Sequence, residues 1–308
     1  MSITLKIERC CDWLETLVVD GRVLAYQDVG SGPTVILAHC SAGTHRIWAP
    51  LIDALRTRYR VLAPDLLGYG KSDPWPINAR LHPWSDVSAI VALAERAGEP
   101  VHLVGHSYGG TVALEAARAL GARAKSLTLI EPIAFHLLRL TGRMDEWQEL
   151  TDVGRRMTEA LRLRRDRGAA SVYMRYWVGQ LRWWLMSPRA RRRVLHTVGK
   201  VGAEFEALSG LSTTEGDYRS INAPTRLIAG ARTQRPARAI VDELVNILPD
   251  AHLQVLERAG HMSPLTHPKE VAALVAKHID ITEARVSHLQ PTTWQQQKEA
   301  RPRRRSIA

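Results

Sequence analysis

The stretch VHLVGHSYGG, residues 101–110, contains a G-x-S-x-G pattern: Gly105, His106, Ser107, Tyr108 and Gly109. An apolar run precedes it and a helix-forming run follows. A serine on a sharp strand-to-helix turn stands above the sheet edge with its hydroxyl exposed. The helix beginning there favours developing negative charge. Gly105 and Gly109 leave room where a Cβ would collide with the neighbouring chain. The chemistry indicated is nucleophilic attack by Ser107. A serine hydroxyl is a weak nucleophile at neutral pH and needs a base. Among 12 histidines, His261 in ERAGHMSPLTHP is the candidate, because it lies between the last expected strand and the last expected helix. His267, beside Pro268, is the runner-up and is better read as a helix cap. Attack on a carbonyl creates an oxyanion, which needs preorganised N–H donors. The Tyr108 amide, next to the nucleophile, is one. The Ser41 amide, in the loop AHCSAGTHRIW, is the other.

These groups are useful only if a framework brings them to one edge. Apolar runs at 34–38, 60–63, 101–104, 127–130, 227–229 and 252–256 alternate with helical patterns near 48–57, 83–97, 109–120, 236–248 and 268–278. Strands alternating with helices predict an α/β fold with a parallel sheet covered on both faces. Two shorter segments, 15–19 and 22–28, flank Asp20-Gly21 and predict an N-terminal hairpin. Residues 132–222 break the alternation and show helical periodicity in pieces, such as 153–163. The expected division is a core of 1–131 with 223–283, a helical cap at 132–222, and a basic, disordered tail at 284–308.

The formal charge of +11 is unevenly placed: residues 132–222 hold +6 and residues 284–308 hold +5, so the rest is neutral. Solvated arginines account for most of this, and no nucleic-acid partner is expected. Nothing near the N-terminus reads as a signal peptide, since Lys6, Glu8, Arg9 and Asp12 interrupt it. Three cysteines make neither a disulfide framework nor a metal-ligand spacing. A cytoplasmic protein with no metal and no cofactor is the expectation.

LAHCSAGTHRIW, PDLLGYGKS, GHSYGG, INAPTRLIAG and AGHMSPLTHP, in this order over residues 13–280, resemble the α/β-hydrolase superfamily. The resemblance implies an eight-stranded, mostly parallel sheet and a helical cap after the sixth strand. It also implies a triad acid shortly after the seventh strand, yet Gly230, Ala231, Arg232, Thr233 and Gln234 include none. Asp242 is the next carboxylate and falls within a helix. Some members of the superfamily place the acid after strand six, where this chain has Glu131. A carboxylate ending an apolar buried strand is costly unless paired, and His261 would be its partner. The competing reading is that Glu131 bonds backbone amides and anchors the cap. A second departure is His39-Cys40 where His-Gly is usual, which restricts φ at that turn; Cys40 is read as a small buried filler.

Ser107 excludes the aspartate-nucleophile chemistry of dehalogenases and epoxide hydrolases with this fold. The resemblance therefore implies a cofactor-independent carboxylic ester hydrolase acting on a small ester with an apolar acyl group. Two alternatives stay open: C–C bond hydrolysis of a diketone-type substrate, and a non-catalytic ligand-binding or membrane-associated module. In the cap, SVYMRYWVGQLRWWLMSP (171–188) carries aromatic and Met residues at helix-compatible spacing. Trp48, Phe135, Trp183, Trp184 and Met262 are expected to line the substrate pocket. The adjoining PRARRR suggests weak contact of cap and tail with an anionic membrane.

Overall fold

The computed structural model describes residues 14–75, 81 and 84–289, with side chains as far as 285. Eight strands form one sheet: β1 (Glu15–Val19), β2 (Arg22–Val29), β3 (Thr34–Ala38), β4 (Arg60–Pro64), β5 (Val101–His106), β6 (Ala124–Ile130), β7 (Thr225–Gly230) and β8 (Ala251–Leu256). Their order is β1-β2-β4-β3-β5-β6-β7-β8. The β1–β2 and β2–β4 pairs are antiparallel. All other pairs are parallel.

Every residue of β3 and β5 is buried, as a parallel strand covered on both faces requires. Side chains along a strand alternate between faces, and the core divides accordingly. Ile36 and Ala38 join the cluster under α2 (Trp84–Ala97) and α3 (Tyr108–Leu120). Val35 and Leu37 join the cluster under α1 (Ala49–Leu55) and the C-terminal helix.

Between β6 and β7 the chain forms only helices: α4 (His136–Leu140), α5 (Met144–Arg162), α6 (Asp166–Trp177), α7 (Gln180–Leu185), α8 (Pro188–Ser209) and α9 (Glu215–Arg219). The rest are α10 (Arg235–Ile247), α11 (Ser263–Thr266) and α12 (Pro268–Leu289). The last helix corrects one expectation. Residues 284–289 continue α12 rather than beginning a disordered tail. The amphipathic pattern of 268–278 persists, with Val271, Val275 and Ile279 buried against the sheet. The remainder of the expected tail, 290–308, lies outside the described residues.

A buried polar network ties α8 to the sheet domain. Lys200 Nζ donates to the Leu67 carbonyl and, at 2.9 Å, to Asp86 Oδ2. Asp86 also accepts from Tyr108 Oη at 2.7 Å and from the Leu67 N–H at 2.9 Å. Glu204, one turn further along α8, accepts from Tyr69 Oη at 2.7 Å. Lys200 and Asp86 are almost wholly buried. Removing one partner of such a pair leaves an uncompensated charge. Lys200→Met is therefore expected to lower unfolding free energy by about 3 kcal/mol, read from urea denaturation. An unchanged midpoint would contradict the network's role.

Candidate active site

Ser107 occupies the turn between β5 and α3 with φ 57° and ψ −120°. Side chains rarely adopt that region, and such strain concentrates where function demands it. The two flanking glycines are a steric necessity. A Cβ at Gly105 would come within 2.2 Å of the Gly109 carbonyl oxygen. One at Gly109 would come within 2.3 Å of the His39 carbonyl oxygen. Tyr108 is the first residue of α3, so its N–H belongs to the helix end that lacks an intrahelical acceptor.

His261 follows β8 and reaches Ser107 across the sheet edge, with its Nε2 2.9 Å from Ser107 Oγ. Its Nδ1 lies 2.7 Å from Glu131 Oε2. A carboxylate only accepts hydrogen bonds, so Nδ1 carries the proton and Nε2 is free to accept from Ser107. All three side chains are buried. The sequence-expected serine, histidine and glutamate thus form one hydrogen-bonded line. Asp242 is elsewhere, on α10, paired with Arg238 at 2.8 Å. His267 bonds Thr266 at 2.8 Å, remote from this line.

Glu131 immediately follows β6, with φ 43°. Burial pushes its carboxyl up. Bonds from His261, from Thr233 Oγ1 at 2.5 Å and from the Gly230 N–H at 2.7 Å more than offset this and hold it below its ordinary value. The two readings of Glu131 are therefore both present in the geometry: it bonds His261 and a backbone amide at once. The loop after β7 lacks an acid but supplies the donors that orient one. Sequence reasoning missed Thr233, although a hydroxyl in an otherwise cationic loop facing the catalytic edge was a usable signal. Arg235, the first residue of α10, pairs with Glu146 at 3.1 Å and is exposed.

Sequence reasoning also missed two aromatic neighbours of His261. Trp177, the last residue of α6, lies over it with ring centroids 4.0 Å apart and planes 33° from parallel. His106 donates from Nε2 to the His261 carbonyl at 2.8 Å, which holds the backbone of the loop after β8.

A cavity of about 430 Å³ opens between the loop after β3, α6, α7, α8 and α11. Its wall includes Cys40, Ser41, Tyr173, Trp177, Val194 and Met262. Met262 lines the cavity as expected, and Ser41, expected as a backbone donor to an oxyanion, stands on the same wall. Trp48, Phe135, Trp183 and Trp184 are corrections, because none of them lines this cavity. Trp48 is core on the opposite face of the sheet, beside Leu51 and Leu55. Phe135 is buried against Phe205, with centroids 5.1 Å apart. Trp183 is capped by the Arg191 guanidinium, and Trp184 is exposed. For Trp183 and Trp184 the cause is Gly179, whose φ of 88° redirects the chain between α6 and α7. A single helical period across 171–188 therefore put the wrong tryptophans inward.

Cys40 does not need the freedom of glycine, since the positive φ in this loop falls at Ala42. Burial pushes its thiol up to about 12, so it stays protonated. Among the described residues, no group of three or more His, Cys, Asp or Glu side chains could hold a metal ion.

Four buried histidines set an acid limit on the fold. Burial lowers His39, His136 and His278 to about 4 and His106 to about 3, from an ordinary 6.5. His39 shows why: its Nε2 accepts from the Leu66 N–H and its Nδ1 donates to the Cys40 carbonyl, so a second ring proton would face a donor. Between pH 6.5 and 4 the unfolded chain binds protons at these sites and the fold does not, so stability falls as pH falls. Glu204, raised to about 7 by burial, acts oppositely between its ordinary 4.5 and 7. The histidines outnumber this one carboxyl, so the net effect of acidification is a loss of stability. Cooperative acid unfolding is expected between pH 6 and 4 by circular dichroism. A melting temperature that is flat down to pH 4 would contradict it.

Residues 35–274 match the family model described as "Alpha/beta hydrolase family". The chain is 26% identical over 293 residues to "Probable oxidoreductase EphD" of Mycobacterium tuberculosis, covering 86% of this chain and 49% of that protein. It thus spans about half the length of that relative. It is 27% identical over 265 residues to the pimeloyl-[acyl-carrier protein] methyl ester esterase of Aeromonas hydrophila, covering 80% and 95%. Among solved structures, a thermophilic esterase from Thermogutta terrifontis superposes with a TM-score of 0.71 at 20% identity, covering 88% and 99%. At that identity the likeness shows the fold.

Proposed function

The chain belongs to the alpha/beta hydrolase family, and from that premise we propose that it cleaves a carboxylic ester through a covalent acyl-enzyme formed on Ser107. The observation that supports this reading is the buried line of hydrogen bonds, 2.9 Å from Ser107 to His261 and 2.7 Å from His261 to Glu131. Ser107 Oγ attacks the acyl carbon while His261 Nε2 takes its proton. Glu131 stabilises the resulting imidazolium and preserves the tautomer. The Tyr108 and Ser41 amides receive the oxyanion. Collapse expels the alcohol, which takes its proton from His261. A water molecule, deprotonated by His261, then attacks the acyl carbon and releases the acid and Ser107.

Trp177 packs over the imidazole and stands on the cavity wall, so it would border the bound acyl group. The cavity is of a size to accept a modest apolar acyl group. The Aeromonas relative is a methyl ester esterase, which accords with ester cleavage. The test is product analysis on p-nitrophenyl esters of graded acyl length and on a vinylogous diketone. A burst of p-nitrophenol followed by steady turnover is expected, with the diketone left intact. Cleavage of the diketone with no ester turnover would replace this reading by C–C bond hydrolysis.

A further inference from the structure

The six residues of α7 include none that is buried. Leu181, Trp184 and Leu185 are 67, 64 and 76% exposed. Isolated exposed apolar residues are ordinary on a protein surface, but three on one short helix are not. Core packing, which stabilises most helices, reaches α7 only through Trp183, which is partly buried against the core. Its flanks are basic. Residues 167–203 contain eight Lys and Arg and no Asp or Glu. Arg189, Arg191, Arg192 and Arg193 lie in the first two turns of α8, where the helix dipole disfavours positive charge. Arg191 is occupied, donating to the Trp184 carbonyl and stacking on Trp183. Arg182, Arg189, Arg192 and Arg193 form no ion pair among the described residues.

We propose that α7 and the first turns of α8 dock on an anionic lipid surface, with Leu181, Trp184 and Leu185 entering the headgroup–acyl boundary and the arginines meeting the phosphates. An exposed apolar ridge beside unpaired cations is the complement of such an interface. Among the described residues, no helix is long and apolar enough to cross a membrane, so the contact is peripheral. The cavity opens on the same side: Arg182, Met186, Ala190 and Arg193 line it. Leu265, half exposed, stands on its wall too. A lipid-dissolved substrate would thus meet the pocket where the protein meets the bilayer. This part deepens the ester-hydrolase reading and rests on it; the docking itself does not.

The test is co-sedimentation of the full chain with vesicles of phosphatidylcholine alone or mixed with phosphatidylglycerol. Binding to the anionic vesicles is expected, weakened by high salt. Arg189→Gln with Arg192→Gln should lower it by about 25-fold, at about fivefold per charge. Trp184→Ala with Leu185→Ala should lower it by about tenfold or more and reduce tryptophan quenching by brominated acyl chains. None of these four residues lines the cavity, so turnover of a soluble short-chain ester should be unchanged, which shows the variants are folded. Equal affinity for neutral and anionic vesicles would overturn the proposal. So would undiminished binding by both variants, or binding to acidic polypeptide with none to vesicles. Failure of ester turnover in protein that still binds vesicles would fault the catalytic reading alone.

Discussion

Glu131→Gln should lower kcat by about 10⁴-fold while leaving the melting temperature within a few degrees. The glutamine amide nitrogen can only donate. Facing His261 Nδ1 at the distance now held by Oε2, 2.7 Å, it would require Nδ1 to accept and so move the proton to Nε2. That nitrogen could then no longer take the Ser107 proton. The size of the side chain is preserved, and the remaining amide oxygen can still accept from the Gly230 N–H, so the β6 edge should hold. Steady-state kinetics with thermal denaturation separate the two effects. A variant that kept most of its turnover would place the orienting acid elsewhere, and Asp242 would have to be reconsidered despite its pairing with Arg238.

Ser107→Ala should have a still larger effect, about 10⁶-fold in kcat, because among the described residues no other hydroxyl bonds His261. The residual rate would reflect only the oxyanion donors and substrate binding. Alanine at φ 57° keeps a Cβ and adds no new strain, so stability should be nearly unchanged. Turnover and a melting curve check this together. Activity surviving in Ser107→Ala would mean that water, not serine, attacks the substrate.

How far the sequence carried the site follows from where each residue's geometry originates. Ser107 and His261 were legible because short backbone contexts position them: glycines around a strand-to-helix turn, and the loop after a final strand. Glu131 was legible from the superfamily resemblance, in which some members carry the acid after strand six, and from the cost of an unpaired charge at the end of an apolar strand. Its other partners were not, because Gly230 and Thr233 meet it only through the β6–β7 pairing, about a hundred residues apart in the chain. The sheet and its helices were largely readable from alternating apolar runs, apart from the end of α12. The pocket was the poorest match. Aromatic spacing in 171–188 fits one long helix, and nothing in that pattern says that Gly179 breaks it. Trp177 consequently reaches His261 while Trp184 faces outward. The Arg-rich loop after β7 illustrates the same point: read alone it is missing an acid, and in the fold it supplies the bonds that hold one.

The most direct measurement is peptide mapping after treatment of the folded protein with a fluorophosphonate, which reacts with an activated serine. A single adduct on Ser107 is predicted, forming rapidly in the wild type, slowly in Glu131→Gln and not at all in His261→Ala. No adduct on folded protein, an adduct on another residue, or labelling of Ser107 that is indifferent to His261 would contradict the assignment of Ser107, His261 and Glu131 as one catalytic unit.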